Sequence, residues 1–291
     1  MSASLDRAQI RRAFGRAAAT YAAHAVLQAE VGTRLRERLD ADTAAPAVVL
    51  DVGCGPGTGT AALQALFPAA RIVALDLALP MLDVARRHPD GSPTIACVCA
   101  DAQRLPLTDA SVDLVYSNLC LHWCEDPGRA LEEFRRVLRP GGRLLVSTFG
   151  PDTLQELRAA FARADASPRV SQGIDMHDLG DALLAIGLRD PVLERDDFTL
   201  TYRDARTLMR ELRASGATHA EVGRRRTLTG KARLHAATAA YEAFRRDGVL
   251  PATFEVVYAH ARAPDSGQPR HSDDGDIACF PVEHLRASRR R

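Results

Sequence analysis

The chain has 291 residues, 46% of them apolar, which is enough for the core of one α/β domain carrying an insertion. Its 38 basic and 37 acidic residues leave a formal charge of +1, so no global field draws it to nucleic acid and a charged partner has to be met by a local patch. No stretch is long and apolar enough to span a membrane, and the six cysteines form neither a C-x-x-C pair nor a closely spaced zinc set; the sequence predicts a cytoplasmic protein with small buried thiols and no metal.

Residues 1 to 39 are rich in Arg and Ala, as a transit leader is, but they read better as folded helix. Ile10, Phe14, Ala17 and Ala18 recur at helical spacing with Arg11, Arg12 and Arg16 elsewhere around the helix, which predicts an amphipathic helix over 6–19. From Ala47 to Phe149, apolar runs alternate with helical patterns. Strands are predicted at 47–52, 71–76, 94–100, 112–117 and 143–149, with helices near 59–67, 79–88, 127–138 and 151–164. Such alternation means a parallel, doubly wound, Rossmann-like sheet. Arg139-Pro140-Gly141-Gly142 ends one helix and turns the chain into the next strand. A last strand is expected at Pro251 to His260, after a helical insertion over about 203–248. The expected division is thus a cap at 1–40, a domain at 41–262, and a flexible tail at 263–291 that begins with a polar linker.

The first strand runs Val48-Val49-Leu50-Asp51-Val52 into Gly53-Cys54-Gly55-Pro56-Gly57-Thr58-Gly59. Glycines let the backbone turn tightly and approach a ligand, because they lack a Cβ and accept positive φ. The dinucleotide fingerprint G-x-G-x-x-G fails here, since its last position falls on Thr58 when counted from Gly53 and on Thr60 when counted from Gly55. D-x-G-x-G-x-G resembles instead the first motif of class I S-adenosylmethionine (SAM)-dependent methyltransferases. In that family the glycine loop packs against the amino-acid end of SAM, which gives Asp51, Gly53, Gly55 and Gly57 a cofactor role. Asp76 closes the second strand, where a carboxylate can accept both ribose hydroxyls, and Leu77 and Met81 follow it. Ligands of such sheets bind beyond the carboxyl ends of the strands. Asp101 and Ala102 after the third strand are therefore expected at the adenine, and Asn118 is expected at the end of the fourth.

Narrower blocks surround this frame. Ala13-Phe14-Gly15-Arg16-Ala17-Ala18-Ala19-Thr20-Tyr21, Ser117-Asn118-Leu119, His122-Trp123-Cys124-Glu125-Asp126, Arg136 to Arg143, and Gly216-Ala217-Thr218-His219 together resemble the malonyl-acyl-carrier protein O-methyltransferases of biotin synthesis, over roughly residues 8 to 262. The resemblance implies a seven-stranded sheet, SAM as co-substrate, and methyl transfer to the free carboxylate of a malonyl thioester on acyl-carrier protein. A carboxylate is already ionised at neutral pH, so this chemistry needs positioning and desolvation rather than a general base. Tyr21 is the candidate to reach over the methyl-transfer site. His122 is assigned positioning only, because many relatives carry Gln there, and Trp123 reads as core.

Between residues 205 and 246, ten basic residues face Glu211, Glu221 and Glu242. Acyl-carrier proteins are acidic, so this region, with Arg224, Arg225, Arg226 and Lys231 singled out, is the expected docking face. Beside a protein that holds SAM without turnover, two enzymatic alternatives stay open. Leu121-His122-Trp123 and Phe149-Gly150-Pro151-Asp152-Thr153-Leu154 are shared with a methyltransferase-like assembly factor of respiratory complex I that hydroxylates arginine. The other alternative is a methyltransferase of another small acid or quinone precursor.

Overall fold

The computed structural model describes residues 5–39, 45–87, 95–164, 173–222 and 230–265. Three helices precede the sheet: α1 (Arg7–Ala17), α2 (Tyr21–His24) and α3 (Val26–Glu37). The alternating part runs β1 (Val48–Val52), α4 (Thr58–Leu66), β2 (Arg71–Asp76), α5 (Leu79–Ala85), β3 (Ile95–Cys99), β4 (Val112–Asn118), α6 (Pro127–Val137), β5 (Leu138–Phe149), α7 (Gln155–Ala164) and α8 (Met176–Ala185). It continues with β6 (Arg189–Tyr202), the inserted helices α9 (Ala205–Ala214) and α10 (Lys231–Tyr241), and β7 (Leu250–Arg262). The seven strands are ordered β3-β2-β1-β4-β5-β7-β6. Strand β7 runs antiparallel to both β5 and β6, and the other pairings are parallel.

Side chains alternate between the two faces of the sheet and build one core on each. Leu50, Val52, Val73, Leu75 and Val115 pack with α6 and α8, while Val49, Ile72, Leu114 and Tyr116 pack with α3, α7, α9 and α10. On α3, Leu27, Val31 and Leu35 recur every four residues and are 6%, 0% and 0% exposed. Each buried side chain of this kind contributes about 1.5–3 kcal/mol. Gly32 lets α3 come close to β4: a Cβ there would stand 3.0 Å from Asn118 Nδ2 and 3.2 Å from Tyr116 Oη. The Tyr116 hydroxyl donates to the Gly32 carbonyl at 3.1 Å, and Asn118 Nδ2 donates to Gln28 O at 2.8 Å. The cap is thus fastened to the end of the strand that borders the site.

The predicted strands and helices appear within a few residues of their expected limits, with two differences of substance. The helix expected from 151 begins at Gln155, because residues 151–154 form a turn that brings Leu154 to φ 55°. The turn at 139–142 is present as a bulge inside β5: Leu138 pairs with Val112 and Arg143 with Leu114, and Gly141 takes φ 72° between them. At this bulge, Ala263 still exchanges hydrogen bonds with Gly141 and Gly142, so pairing extends one residue into the expected tail. Residues 266–291 lie outside the described residues. The cysteines are less uniform than expected: Cys54 and Cys124 are buried, Cys97 and Cys120 are half-buried, Cys99 is exposed, and Cys279 lies outside the described residues. Among the described residues no helix is long and apolar enough to cross a membrane.

Candidate active site

A cleft of about 950 Å³, counted out to its open mouth, lies beyond the carboxyl ends of β1, β2 and β4 and beside the residues that follow β3. Of the residues singled out in the sequence, Tyr21, Gly53, Gly55, Asp76, Leu77, Met81, Asp101, Ala102, Asn118 and His122 line it. Gly53 and Gly55 take φ 74° and 54°, and a Cβ on Gly53 would stand 2.6 Å from Cys120 Cβ. A Cβ on Gly55 would have Tyr21 Cε1 as its nearest neighbour, at 3.8 Å, so the loop backbone faces Tyr21 across the cleft.

Asp76 is the best-placed polar group. Its Oδ2 accepts the Gly55 N–H at 3.0 Å and its Oδ1 accepts the Ala78 N–H at 2.7 Å, so the glycine loop, the strand end and the start of α5 are one hydrogen-bonded unit. Burial pushes its carboxyl up to about 6 against the pull of those two donors. Further donors from a ligand would relieve that penalty.

Two expected contacts fall elsewhere. Asp51 does not line the cleft: it is 2% exposed and accepts the Thr60 hydroxyl at 2.6 Å, and burial raises its carboxyl to about 7. Its place is beneath the loop, tying β1 to α4. Gly57 is the left-handed cap of α4 at φ 90°, where a Cβ would stand 2.9 Å from that of Ala85. It lets the start of α4 approach Ala85 at the end of α5 and does not reach the cleft.

Asp101 lines the cleft but is already engaged. It accepts from Gln103 N at 3.0 Å and Gln103 Nε2 at 3.1 Å, and it pairs with Arg7. Burial opposes its ionisation, yet the Gln103 backbone donor, with Arg7 and the Gln103 amide, outweighs it and holds the carboxyl below its ordinary value. A nucleobase amino group there has to compete with Arg7. Asn118 is similarly committed, donating to Gln28 O and accepting the Ser147 hydroxyl at 2.8 Å.

The roof comes from two segments about 200 residues apart in the chain. Leu5, Arg7, Ile10 and Phe14 from the α1 region and Ser215 and Ala217 after α9 line the cleft. Asp6 N donates to Ala220 O at 2.7 Å, and Leu5 bridges to Glu221. Gly216, at φ 78°, meets Phe14 so closely that a Cβ would stand 2.8 Å from its Cδ1. This contact accounts for the Gly216-Ala217 block read from the sequence. Trp123, expected in the core, is half-buried in the cleft wall and meets Phe14 edge-on with centroids 5.1 Å apart. The amphipathic pattern of α1 marks Ile10 and Phe14, but nothing local marks Arg7, Gln28 or Gln103, whose place depends on contacts far away in sequence.

His122 packs between Trp123 and Phe149, with centroids 5.2 and 4.7 Å away. Burial pushes its imidazole down to about 3, so it is neutral at physiological pH. Its Nδ1 stands 3.5 Å from Thr148 Oγ1, and its buried Nε2 has no partner among the described residues. Burial, then the nearby Asp76 charge, raises the Tyr21 phenol above its ordinary value, so that hydroxyl keeps its proton. Arg224, Arg225 and Arg226 lie outside the described residues, and Lys231 is exposed at the start of α10 and does not line the cleft.

Residues 50–146 match a family model described as a methyltransferase domain. The chain is 49% identical over 292 residues, all of this chain and 99% of the relative, to the malonyl-acyl-carrier protein O-methyltransferase of Xylella fastidiosa (strain M23). The chain belongs to the malonyl-acyl-carrier protein O-methyltransferase family. A Methylovorus sp. (strain MP688) relative of the same name is 49% identical over 276 residues, covering 90% of each chain. Among solved structures, a methyltransferase from Bacillus halodurans C-125 overlays 81% of this chain and 99% of its own, with a TM-score of 0.58 at 22% identity. Haemonchus contortus phosphoethanolamine N-methyltransferase 2, solved with S-adenosyl-L-methionine, overlays 80% of this chain and 52% of its own, with a TM-score of 0.52 at 17% identity. These overlays establish the fold of this methyltransferase family member, a class I sheet.

Proposed function

We propose that this enzyme transfers the methyl group of SAM to the free carboxylate of a malonyl thioester carried on acyl-carrier protein, giving the methyl ester and S-adenosylhomocysteine. The observation that carries the proposal is 49% identity over the whole chain to a relative of that name. The same identity favours it over the hydroxylating assembly factor and over methylation of a quinone precursor.

The cleft residues fit SAM. Asp76 would accept the ribose hydroxyls on the free lone pairs of its two oxygens, Gly53 and Gly55 would take the amino-acid end along the half-buried loop backbone, and Leu77, Met81 and Ala102 would flank the base. When bound, SAM supplies an electrophilic methyl on a sulfonium centre, which an ionised carboxylate can take by in-line displacement. The chain's residues orient and dehydrate that carboxylate. Phe14, Trp123, Ile10 and Phe149 make an apolar wall that excludes water. The protonated Tyr21 hydroxyl is the donor that fixes the carboxylate, and the neutral His122 shapes the wall beside it. Neither residue has to move a proton, since the nucleophile arrives ionised.

The test is intact-mass spectrometry of malonyl-acyl-carrier protein after incubation with enzyme and SAM, with acetyl-carrier protein as control. A methyl gain on the malonyl carrier alone is the expected result. Absence of a gain, with SAM binding intact, would overturn the substrate assignment.

A further inference from the structure

We infer that the acidic carrier docks on an arginine face formed by the outer surfaces of α1 and α9, at the mouth of the cleft; this rests on the carrier-bound substrate proposed above. Helix α1, RAQIRRAFGRA, contains four arginines and no acid. Its buried side is Ile10, Ala13 and Ala17, with Phe14 turned to the cleft, and Arg7, Arg11, Arg12 and Arg16 are all exposed. Arg7 marks the rim, because it is exposed and also lines the cleft. Arg11 is one turn further along the same side. Helix α9 packs against α1 and exposes Arg206, Arg210 and Arg213 at i, i+4 and i+7, a single stripe that ends just before Ser215 and Ala217 of the cleft wall.

The acids near this face are already committed. Asp101 holds Arg7, Asp6 caps α1 by accepting Gln9 N, Glu211 accepts the Tyr202 hydroxyl, and Glu221 stands 3.3 Å from His219. Among the described residues no ion pair is formed by Arg11, Arg12, Arg16, Arg206 or Arg213. A carrier delivers its malonyl group on a long thioester arm, so its acidic surface has to rest beside the opening, and an uncompensated positive rim steers such a partner into place. Sequence alone places the docking face on residues 205–246. The structure joins the first part of that region to α1 and puts both helices at the rim, and it gives Arg11, Arg12 and Arg16 a role that the cleft does not.

The experiment compares two methyl acceptors, malonyl-acyl-carrier protein and malonyl-pantetheine, which has the same thioester without the acidic protein. The variants are Arg11→Glu/Arg12→Glu/Arg16→Glu and the milder triple change to Gln, each checked for helix content by circular dichroism and for S-adenosylhomocysteine affinity by calorimetry. The expected result is a KM for the malonyl carrier raised about tenfold or more by the Glu triple and by a smaller factor in the Gln triple. The KM for malonyl-pantetheine should stay within about twofold. Salt should raise the wild-type carrier KM and have little effect on that of the Glu triple. An unchanged carrier KM, or an equal loss on both acceptors, overturns the docking face. If the wild-type enzyme methylates neither acceptor, the proposed function fails instead, a result that no arginine variant could produce.

Discussion

Replacing Asp76 tests the cleft most directly. Each of its carboxylate oxygens accepts one backbone N–H, from Gly55 at 3.0 Å and Ala78 at 2.7 Å, leaving room for one ribose hydroxyl on each. Hydrogen bonds to a charged group contribute about 1.5–3 kcal/mol. Two at the lower value amount to about 3 kcal/mol, or roughly a hundredfold in Kd. Asp76→Ala is therefore expected to weaken S-adenosylhomocysteine binding about a hundredfold by isothermal titration calorimetry. Asp76→Asn, which keeps the shape and one acceptor, should fall between it and the wild type. The pH dependence supplies a second readout. The free carboxyl titrates at about 6, and hydroxyl donors favour its ionised form, so binding releases a proton. The wild-type Kd should be flat above about pH 7 and rise by up to tenfold per unit below about pH 6, and Asp76→Asn should lose that dependence. An Asp76→Ala protein that binds within about threefold of wild type would refute the ribose assignment.

Gly216→Ala places a Cβ 2.8 Å from Phe14 Cδ1 at a residue held at φ 78°. The left-handed conformation costs about 1–2 kcal/mol in a residue with a Cβ, and overpacking costs about 1–3 kcal/mol more. Differential scanning calorimetry should show a melting temperature lower by roughly 5–15 °C; an unchanged value would mean that the roof yields freely there. Tyr21→Phe keeps the ring beside Phe14, with centroids 6.4 Å apart, and removes only the hydroxyl. We expect kcat on malonyl-carrier protein to drop about tenfold at unchanged S-adenosylhomocysteine affinity. Equal kcat would reduce Tyr21 to a piece of wall.

The centre of the sheet is readable because its signals are local. A strand buried on both faces is a continuous apolar run, as in Ile72-Val73-Ala74-Leu75, and the glycine loop and Asp76 stand at the carboxyl ends of two such runs, β1 and β2. Strand β6 is hidden for the opposite reason. It is the edge strand, and Asp190, Glu194, Arg195, Asp196 and Asp197 break up the apolar alternation that would reveal it. In the cleft, the residues that the motif names are placed well except where the motif serves the loop's own shape, as at Asp51 and Gly57. Trp123 reads as core although it lines the cleft, because burial and lining look alike in one sequence. Its edge faces Phe14, from a helix whose docking depends on Gly216, and no window of a few residues contains all three.

Strand β7 is the last element of the described chain, yet it occupies an inner position between β5 and β6. A ribosome therefore releases β6 before the one strand that pairs with it exists. The nascent chain can join β3, β2, β1, β4 and β5 edge to edge as they emerge, so the strand pairing that carries the glycine loop and Asp76 needs nothing synthesised after Phe149, while the faces of those strands wait for α7 to α10 to cover them. The half that seats α9 must wait for Leu250–Arg262 to slot in. A chain stalled before that point has five of the seven strands paired, an open edge on β5 and a cleft whose far wall is not yet seated.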